Sequence, residues 1–348
     1  MPRALLLLLA TLGLGLGLSG SATGRGQPRF APVLFVDFPD PFILPHEGGY
    51  LAYATNARGF EANVQMAASA DLTDWRQIRD PTGRLHDAMP VLPAWARPGM
   101  TWAPSVAAIG GRFLLYFTAR ERASERQCVG VAVATDPRGP FVSSAPQPLV
   151  CQRAEGGTID PSVFEDADGA AYLLYKSDGN NPAVLRPSRI WVQRLAPDGL
   201  SLTGEARPLL GNDRHWEWRV VESPDMVRTP DGRYVLFYSG NHFGWEVDQR
   251  LSNYAIGYAR CATVMGPCVK AAENPILKSR NDAAGCLSGP GHQTTFAAGG
   301  RRFLAFHAWA AAAGCRRSDK GRYLYIAPLR WAGDTPVIDP SVRRVTPD

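Results

Sequence analysis

A chain of 348 residues with 37 Lys and Arg against 32 Asp and Glu carries a formal net charge of +5. The positive residues are scattered and form no basic block, which argues for solubility and against nucleic-acid binding. Six cysteines, an even number, suit an oxidising compartment, and beyond the first residues no stretch is long and apolar enough to cross a bilayer.

The chain opens MPRALLLLLATLGLGLGLSGSATG: one basic residue, Arg3, an apolar run, then small residues. This predicts a secretory leader over residues 1–22, cut after Ala22. The alternative is a membrane anchor, but its apolar stretch is interrupted by Gly13, Gly15 and Gly17 and is short for a span. No cysteine follows the run, which argues against a lipoprotein. Residues 23–348 are then a single domain, secreted or periplasmic, with no membrane contact once the leader is removed.

Five stretches repeat one pattern: a residue before proline, a short apolar run, a glycine turn, an aromatic-apolar run. Asp40-Pro41-Phe42 leads through Gly48-Gly49 into YLAYATN, and Trp102-Ala103-Pro104-Ser105 through Gly110-Gly111 into RFLLYFTAR. Asp160-Pro161 leads through Asp168-Gly169 into AAYLLYKS, and Glu222-Ser223-Pro224 through Asp231-Gly232 into RYVLFYSGN. Gly289-Pro290-Gly291-His292 leads through Gly299-Gly300 into RRFLAFHAW. A glycine-containing turn between apolar runs is a hairpin signal, since turn positions need φ > 0. Each unit continues into a further apolar strand, a polar turn and a shorter strand, as in VGVAVATDPRGPFVSS.

The period, about 60 residues, marks stacked supersecondary units. Five units of four antiparallel strands predict an all-β fold, a five-bladed β-propeller. A β-sandwich or β-helix does not account for a four-strand period of that length. The repeat also narrows the cysteine pairing. Cys261 and Cys268 fall on the two arms of the fourth unit's outer hairpin, Cys128 and Cys151 bracket that of the second, and Cys286 and Cys315 remain, bracketing the fifth unit's inner hairpin.

In a propeller the starts of the innermost strands converge on one face, so the five pre-proline motifs meet at the mouth of the channel. Aligned on Pro41, Pro104, Pro161, Pro224 and Pro290, they bring together Asp40, Asp160 and Glu222, with Trp102 and His292. Carboxylates gathered in one place raise one another's pKa, and acids in divergent environments are what acid–base hydrolysis needs. Glu222, flanked by Val220, Val221 and Pro224, is expected to have a raised pKa. Each residue has a plainer reading. Asp40 and Asp160 could make Asx turns, Asp37 rivals Asp40, Glu222 could be a rim residue, Trp102 core filling, and His292 a turn residue. Asp166 and Asp168 read as turn acids. Trp216, Trp218, Phe243 and Trp245 are candidates for outer sugar subsites.

The set FPDPF (38–42), TWAPS (101–105), IDPSVFEDADG (159–169), ESPDMV (222–227) and GPGH (289–292) resembles glycoside hydrolase family 43, propeller enzymes acting on arabinan, arabinoxylan and xylan. The resemblance implies Asp40 as general base, Glu222 as general acid, and Asp160 as the carboxylate that tunes and orients the acid. It implies Trp102, Phe42, His292 and Arg322 as the substrate-binding set. His292 would also help hold a structural calcium ion or its water shell on the axis, with no cofactor needed for the chemistry. The partner is a plant cell-wall oligosaccharide or polysaccharide, the mechanism inverting, the protein a monomer. Arabinofuranosyl linkages are favoured over β-D-xylosyl ones. A fructan- or sucrose-hydrolysing propeller would need Arg-Asp-Pro and Glu-Cys where this chain has Ile-Asp-Pro and Glu-Ser. A sugar-binding propeller without catalysis would not need all three carboxylates.

Overall fold

The computed structural model describes Met1 and residues 31–244, 251–282 and 285–338. The leader, Met1 apart, and Trp245 lie outside the described residues. The first blade is built from β1 (Phe42–His46), β2 (Gly49–Ala54), β3 (Gln65–Ser69) and β4 (Arg76–Gln77). The second has β5 (Ala96–Ile109), β6 (Arg112–Glu121) and β7 (Gln127–Ala134). The third has β8 (Thr158–Glu165), β9 (Ala171–Ser177), β10 (Arg189–Leu195) and β11 (Leu202–Gly211). The fourth has β12 (Val221–Arg228), β13 (Tyr234–Gly240), β14 (Ala255–Cys261) and β15 (Cys268–Lys270). The fifth has β16 (Arg280–Asp282), β17 (Gly285–Ala298), β18 (Arg301–Ala312), β19 (Arg316–Ala332) and β20 (Thr335–Ile338). Every blade is an antiparallel meander, and the fold is a five-bladed propeller.

Two blades depart from the expected four strands. In the second, the outer position is held by isolated bridges, Val129 to Val150 and Val133 to Val142. The segment that would pair there carries Pro137, Pro140, Pro146 and Pro148, and proline has no N–H to give a ladder. The fifth gains β16, which forms a short hairpin with the start of β17. The turns also divide. Glu47-Gly48, Gly110-Gly111 and Gly299-Gly300 all take positive φ, as tight two-residue hairpins require, so the first turn sits one residue before the expected Gly48-Gly49. In the Asp-Gly hairpins only Gly169 and Gly232 do. There the loops are longer, and Asp168 accepts the N–H of Ala170 at 2.9 Å.

There is no single core. Five apolar clusters lie between adjacent blades, one at each seam. Tyr53 and Phe117 meet between blades one and two, and Tyr116 and Tyr175 between two and three. Leu174 and Tyr238 meet between three and four, Tyr258 and Phe306 between four and five, and Phe303 and Ala52 between five and one. Large aromatic side chains fill the wedge-shaped gaps between twisted sheets. The last seam is reinforced by the N-terminal segment, which runs along β19: the Val33 N–H donates to the Leu324 carbonyl and the Phe38 N–H to the Arg322 carbonyl, each at 2.8 Å. All six described cysteines pair as the repeat suggested, Cys128–Cys151, Cys261–Cys268 and Cys286–Cys315.

Candidate active site

One backbone feature recurs at the mouth of the channel in every blade. Asp40, Ala103, Asp160, Ser223 and His292 have φ of 58°, 47°, 56°, 55° and 49°. In four blades this left-handed residue and its successor make a bulge in the innermost strand: pairing skips from Trp102 to Ser105, Ile159 to Ser162, Glu222 to Asp225 and Gly291 to Thr294. In the first blade Asp40 lies two residues before the start of β1, with Pro41 between. Such a conformation costs about 1–3 kcal/mol per non-glycine residue, and a bulge re-aims side chains. The fifth blade therefore aligns on His292, not on Gly289 as the proline register suggested.

Each left-handed residue gives its N–H to a side chain of the preceding blade. Ala103 N–H goes to Thr55 Oγ1 at 3.0 Å, Asp160 to Thr118 Oγ1 at 3.2 Å, His292 to Ser239 Oγ at 2.9 Å and Asp40 to His307 Nδ1 at 3.1 Å. These acceptors occupy one register position on the second strand. The third blade has Lys176 there, which cannot accept, and the Ser223 N–H goes instead to Asp160 Oδ2 at 3.0 Å.

Asp40 sits among cations and donors. Its Oδ1 lies 3.2 Å from Arg322 Nη1 and 3.3 Å from both His292 Nδ1 and His307 Nδ1, and Thr55 donates to Oδ2. Burial alone would raise its pKa, but Arg322, His292 and His307 outweigh burial and hold the carboxyl well below the usual carboxylate range. His307, 1% exposed, is pressed down to about 4 by burial and by Arg322, so its ring is neutral.

Glu222 is held in the same direction by other groups. Lys176 Nζ lies 2.9 Å from Oε2, and the Tyr254 hydroxyl donates to Oε1 at 2.7 Å. Burial would raise this carboxyl; Lys176, by charge and hydrogen bond, and Tyr254 outweigh it and hold it below the usual glutamate value. The expectation of a raised Glu222 is thus corrected. Val221 is fully buried in the seam between blades three and four and faces the other side of the strand; burial of the carboxyl is real, but the Lys176 charge and the Tyr254 hydroxyl outweigh it. Asp160 is the raised member: burial, opposed by His292 and reinforced by the charge on Glu222, pushes it up to about 6. Ser223 joins the parts, its Oγ 2.8 Å from His292 Nδ1 and 3.4 Å from the Tyr254 hydroxyl.

The other expected residues divide. Arg322 is at the site, its guanidinium against Asp40 and 5.0 Å from the centre of the Phe243 ring. Trp102 is half-buried in the register position that Glu222 holds in the fourth blade. Phe42 is not at the site: two residues past the left-handed position its ring packs 6.3 Å from Tyr53, in the seam between blades one and two. Asp37 accepts from Arg58 Nε and from the Arg322 N–H, bracing β19. Asp166 accepts from the Tyr234 hydroxyl at 2.6 Å, at the turn end of the blade. Trp216 packs beneath Gly240 and Gly257, whereas Trp218 is 56% exposed. Asp40 touches both His292 and His307, but among the described residues these three do not bring three ligand atoms mutually together. The one such cluster joins Glu121 to the bonded Cys128 and Cys151, whose sulfurs are committed to each other.

Lys176, Tyr254, His307 and Trp309 were missed. The column Thr55, Thr118, Lys176, Ser239, His307 was visible in the repeat as a polar residue at one place in each aromatic-apolar run. Trp309, two residues on from His307, lies 5.8 Å from the Arg322 guanidinium. Tyr254 lies in the loop before β14 and carried no signal.

Residues 30–336 match the sequence model of glycosyl hydrolases family 43. The chain belongs to glycosyl hydrolases family 43. Among family relatives, it is 30% identical over 260 residues to an extracellular endo-α-(1→5)-L-arabinanase of Thermotoga petrophila, covering 66% of this chain and 50% of that protein. It is 24% identical to extracellular endo-α-(1→5)-L-arabinanase 2 of Bacillus subtilis, covering 86% and 72%. The chain thus spans half the length of the first relative and 44% of a putative β-xylosidase of Xylanibacter ruminicola. A thermostable family-43 glycoside hydrolase superposes with a TM-score of 0.73 at 26% identity, covering 90% of this chain and 95% of that one. An endo-1,4-β-xylanase of Bacteroides thetaiotaomicron gives 0.70 at 28% identity, covering 91% and 98%.

Proposed function

We propose that this chain hydrolyses α-L-arabinofuranosyl linkages of plant polysaccharides by a single displacement with inversion, as a secreted or periplasmic monomer. The observation that carries the reading is the set of unlike carboxyls on one axis: Asp40 held ionised by Arg322 and two histidines, Glu222 clamped by Lys176 and Tyr254, and Asp160 raised beside it. Glu222 protonates the departing glycosidic oxygen. Asp40, already a carboxylate, takes a proton from water on the opposite face of the sugar. The two then stand about 6.5–9.5 Å apart with substrate bound. An ionised Asp160 beside a protonated Glu222 keeps that proton from leaving too early, since a like charge disfavours ionisation. Arg322, Phe243 and Trp309 form a cationic-aromatic wall beside Asp40 that suits sugar hydroxyls and ring faces. Arabinose is favoured because two relatives are described as endo-α-(1→5)-L-arabinanases; xylosidases among the relatives make a β-D-xyloside the second substrate to try. Export is supported by three disulfides and by those extracellular relatives.

We also propose a structural, non-catalytic calcium ion with its water shell beside His292. His307 supports it: Nδ1 accepts from the Asp40 N–H, so Nε2 carries the proton, and that buried atom has no partner among the described residues. The ring stacks 6.1 Å from His292. An orphaned donor there asks for water, and calcium takes oxygen ligands including water.

The test is hydrolysis of aryl α-L-arabinofuranoside, aryl β-D-xyloside and linear arabinan, with proton NMR of the first sugar released. Inversion is expected. Glu222→Gln should slow substrates with poor leaving groups by about 10²–10⁴ and activated aryl glycosides less, whereas Asp40→Asn should slow both alike. A first product with the substrate's anomeric configuration would overturn the mechanism.

A further inference from the structure

The hydrogen-bonded belt at the mouth of the channel has a neutral acceptor in four blades and an ammonium in the third. Nothing in the reaction as derived asks for a cation there. An acid that must carry a proton has been given a neighbour that disfavours it. Lys176 is 1% exposed, with Nζ 2.9 Å from Glu222 Oε2 and 3.3 Å from Asp178 Oδ1. Because it cannot accept, the Ser223 N–H turns to Asp160, which thereby gains its one backbone donor. One residue type at one register position thus changes the surroundings of both carboxyls.

We infer that Lys176 is a positioning residue of the reaction: it clamps Glu222 Oε2, directs the acid's proton to Oε1, and limits catalysis to the more acidic pH range. The inference rests on the reading of Glu222 as the acid. The direction follows from donor counting. An ammonium has three donors and no acceptor, so a proton on Glu222 cannot lie on the oxygen facing Lys176. It lies on Oε1, where the Tyr254 hydroxyl can rotate from donor to acceptor or yield to a glycosidic oxygen.

The pH range follows from what faces the carboxyl. Glu222 on β12 touches Lys176 from β9, with Asp178 beyond it, and Tyr254 from the loop before β14, while Asp160 from β8 and His292 from β17 act on it through charge alone. Arg322 and His307 act on Asp40 instead, and the His292 ring itself touches Asp40, not Glu222. Lys176 is the permanent cation of the Glu222 group: burial pulls its pKa down, but Glu222, Asp178 and Asp160 outweigh burial and hold it above the usual lysine value.

The experiment follows kcat/KM against pH, on a glycoside with a poor leaving group, for wild type, Lys176→Met, Lys176→Thr and Lys176→Arg. In parallel, the Glu222 side-chain carboxyl is titrated by ¹³C NMR and assigned with Glu222→Gln. An opposite charge at this distance lowers a carboxyl by about 1–3 pH units. Lys176→Met and Lys176→Thr should therefore move the alkaline limb and the Glu222 titration upward by about one unit or more, and Lys176→Arg should leave both in place. Threonine is the residue two other blades carry at this position and restores an acceptor for Ser223, so it guards against failure of the methionine variant to fold. An unmoved Glu222 titration in a folded Met or Thr variant overturns the inference. So does an equal loss of rate at every pH, the mark of a merely structural lysine. If wild type cleaves no glycoside, the functional reading fails, while the titration still decides the inference.

Discussion

His307 Nδ1 accepts the backbone N–H of Asp40 at 3.1 Å, across the seam where the fifth blade meets the first. The candidate base is therefore fixed by the contact that closes the ring. The same seam brings Arg322 from β19 to the Asp40 carboxylate at 3.2 Å, while Asp37 holds the Arg322 N–H at 2.8 Å. Closure of the fold and ionisation of the base share these residues.

Arg322→Gln should raise the pKa of Asp40, because Arg322 is the largest influence holding it down against burial. The base must be ionised to work, so the acidic limb of kcat/KM should move to higher pH, by about one unit or more. The alkaline limb should stay. A pH–rate series on an activated aryl glycoside reads both limbs in one experiment, and an acidic limb that does not move would show that the two histidines suffice.

Gly291→Ala should damage activity more than stability. A Cβ on Gly291 would stand 2.0 Å from the Tyr254 ring, and the ring must shift. Its hydroxyl then leaves Glu222 Oε1. We expect kcat/KM to fall by about tenfold or more, since loss of a hydrogen bond to a charged group is worth about 1.5–3 kcal/mol. Thermal melting compared with the rate for a poor leaving group separates the two effects.

Asp225 gives a stability prediction. It is buried, and burial pushes its carboxyl up to about 7 despite the Thr295 N–H at 2.8 Å. The folded protein thus binds a proton where the unfolded chain has lost it. Stability from this group is fully present below about pH 4 and is lost as the pH rises through about 7, by at most about 4 kcal/mol. Asp225→Asn keeps an acceptor for Thr295 and removes the titration. The variant should melt a few degrees above wild type at pH 8 and lose less on going from pH 5 to pH 8. Asp160, raised to about 6, adds a slope of the same sign to both proteins.

An axial calcium ion makes its own prediction. Exhaustive chelation should lower the melting temperature, and calcium should restore it. Activity should fall only as far as the fold loosens, because no step of the proposed displacement passes through the ion. A melting curve indifferent to chelation would leave His292 with its hydrogen bond to Ser223 and its contact with Asp40 as its whole role.

The five-blade architecture, the three disulfides and the convergence of Asp40, Asp160 and Glu222 were legible in the amino-acid order. They depend on local signals repeated at blade spacing: proline after the left-handed residue, glycine in the turn, aromatics in alternation. A repeat converts local signals into global placement, because stacked units put equivalent positions on one axis. What needed tertiary structure was every property created between blades. The proline alignment placed Gly289 where the bulge register places His292, since the three-residue offset of the fifth blade does not show in a motif. Phe42 looked like a sugar-site aromatic from its motif, but two residues past the left-handed Asp40 its ring packs into a seam. The charge state of Glu222 was misjudged from Val220, Val221 and Pro224, because burial does push the carboxyl up but is outweighed by Lys176 and Tyr254, which reach it from distant parts of the chain. Electrostatics depends on distance through space, and in a ring of blades the nearest charges are remote in the chain.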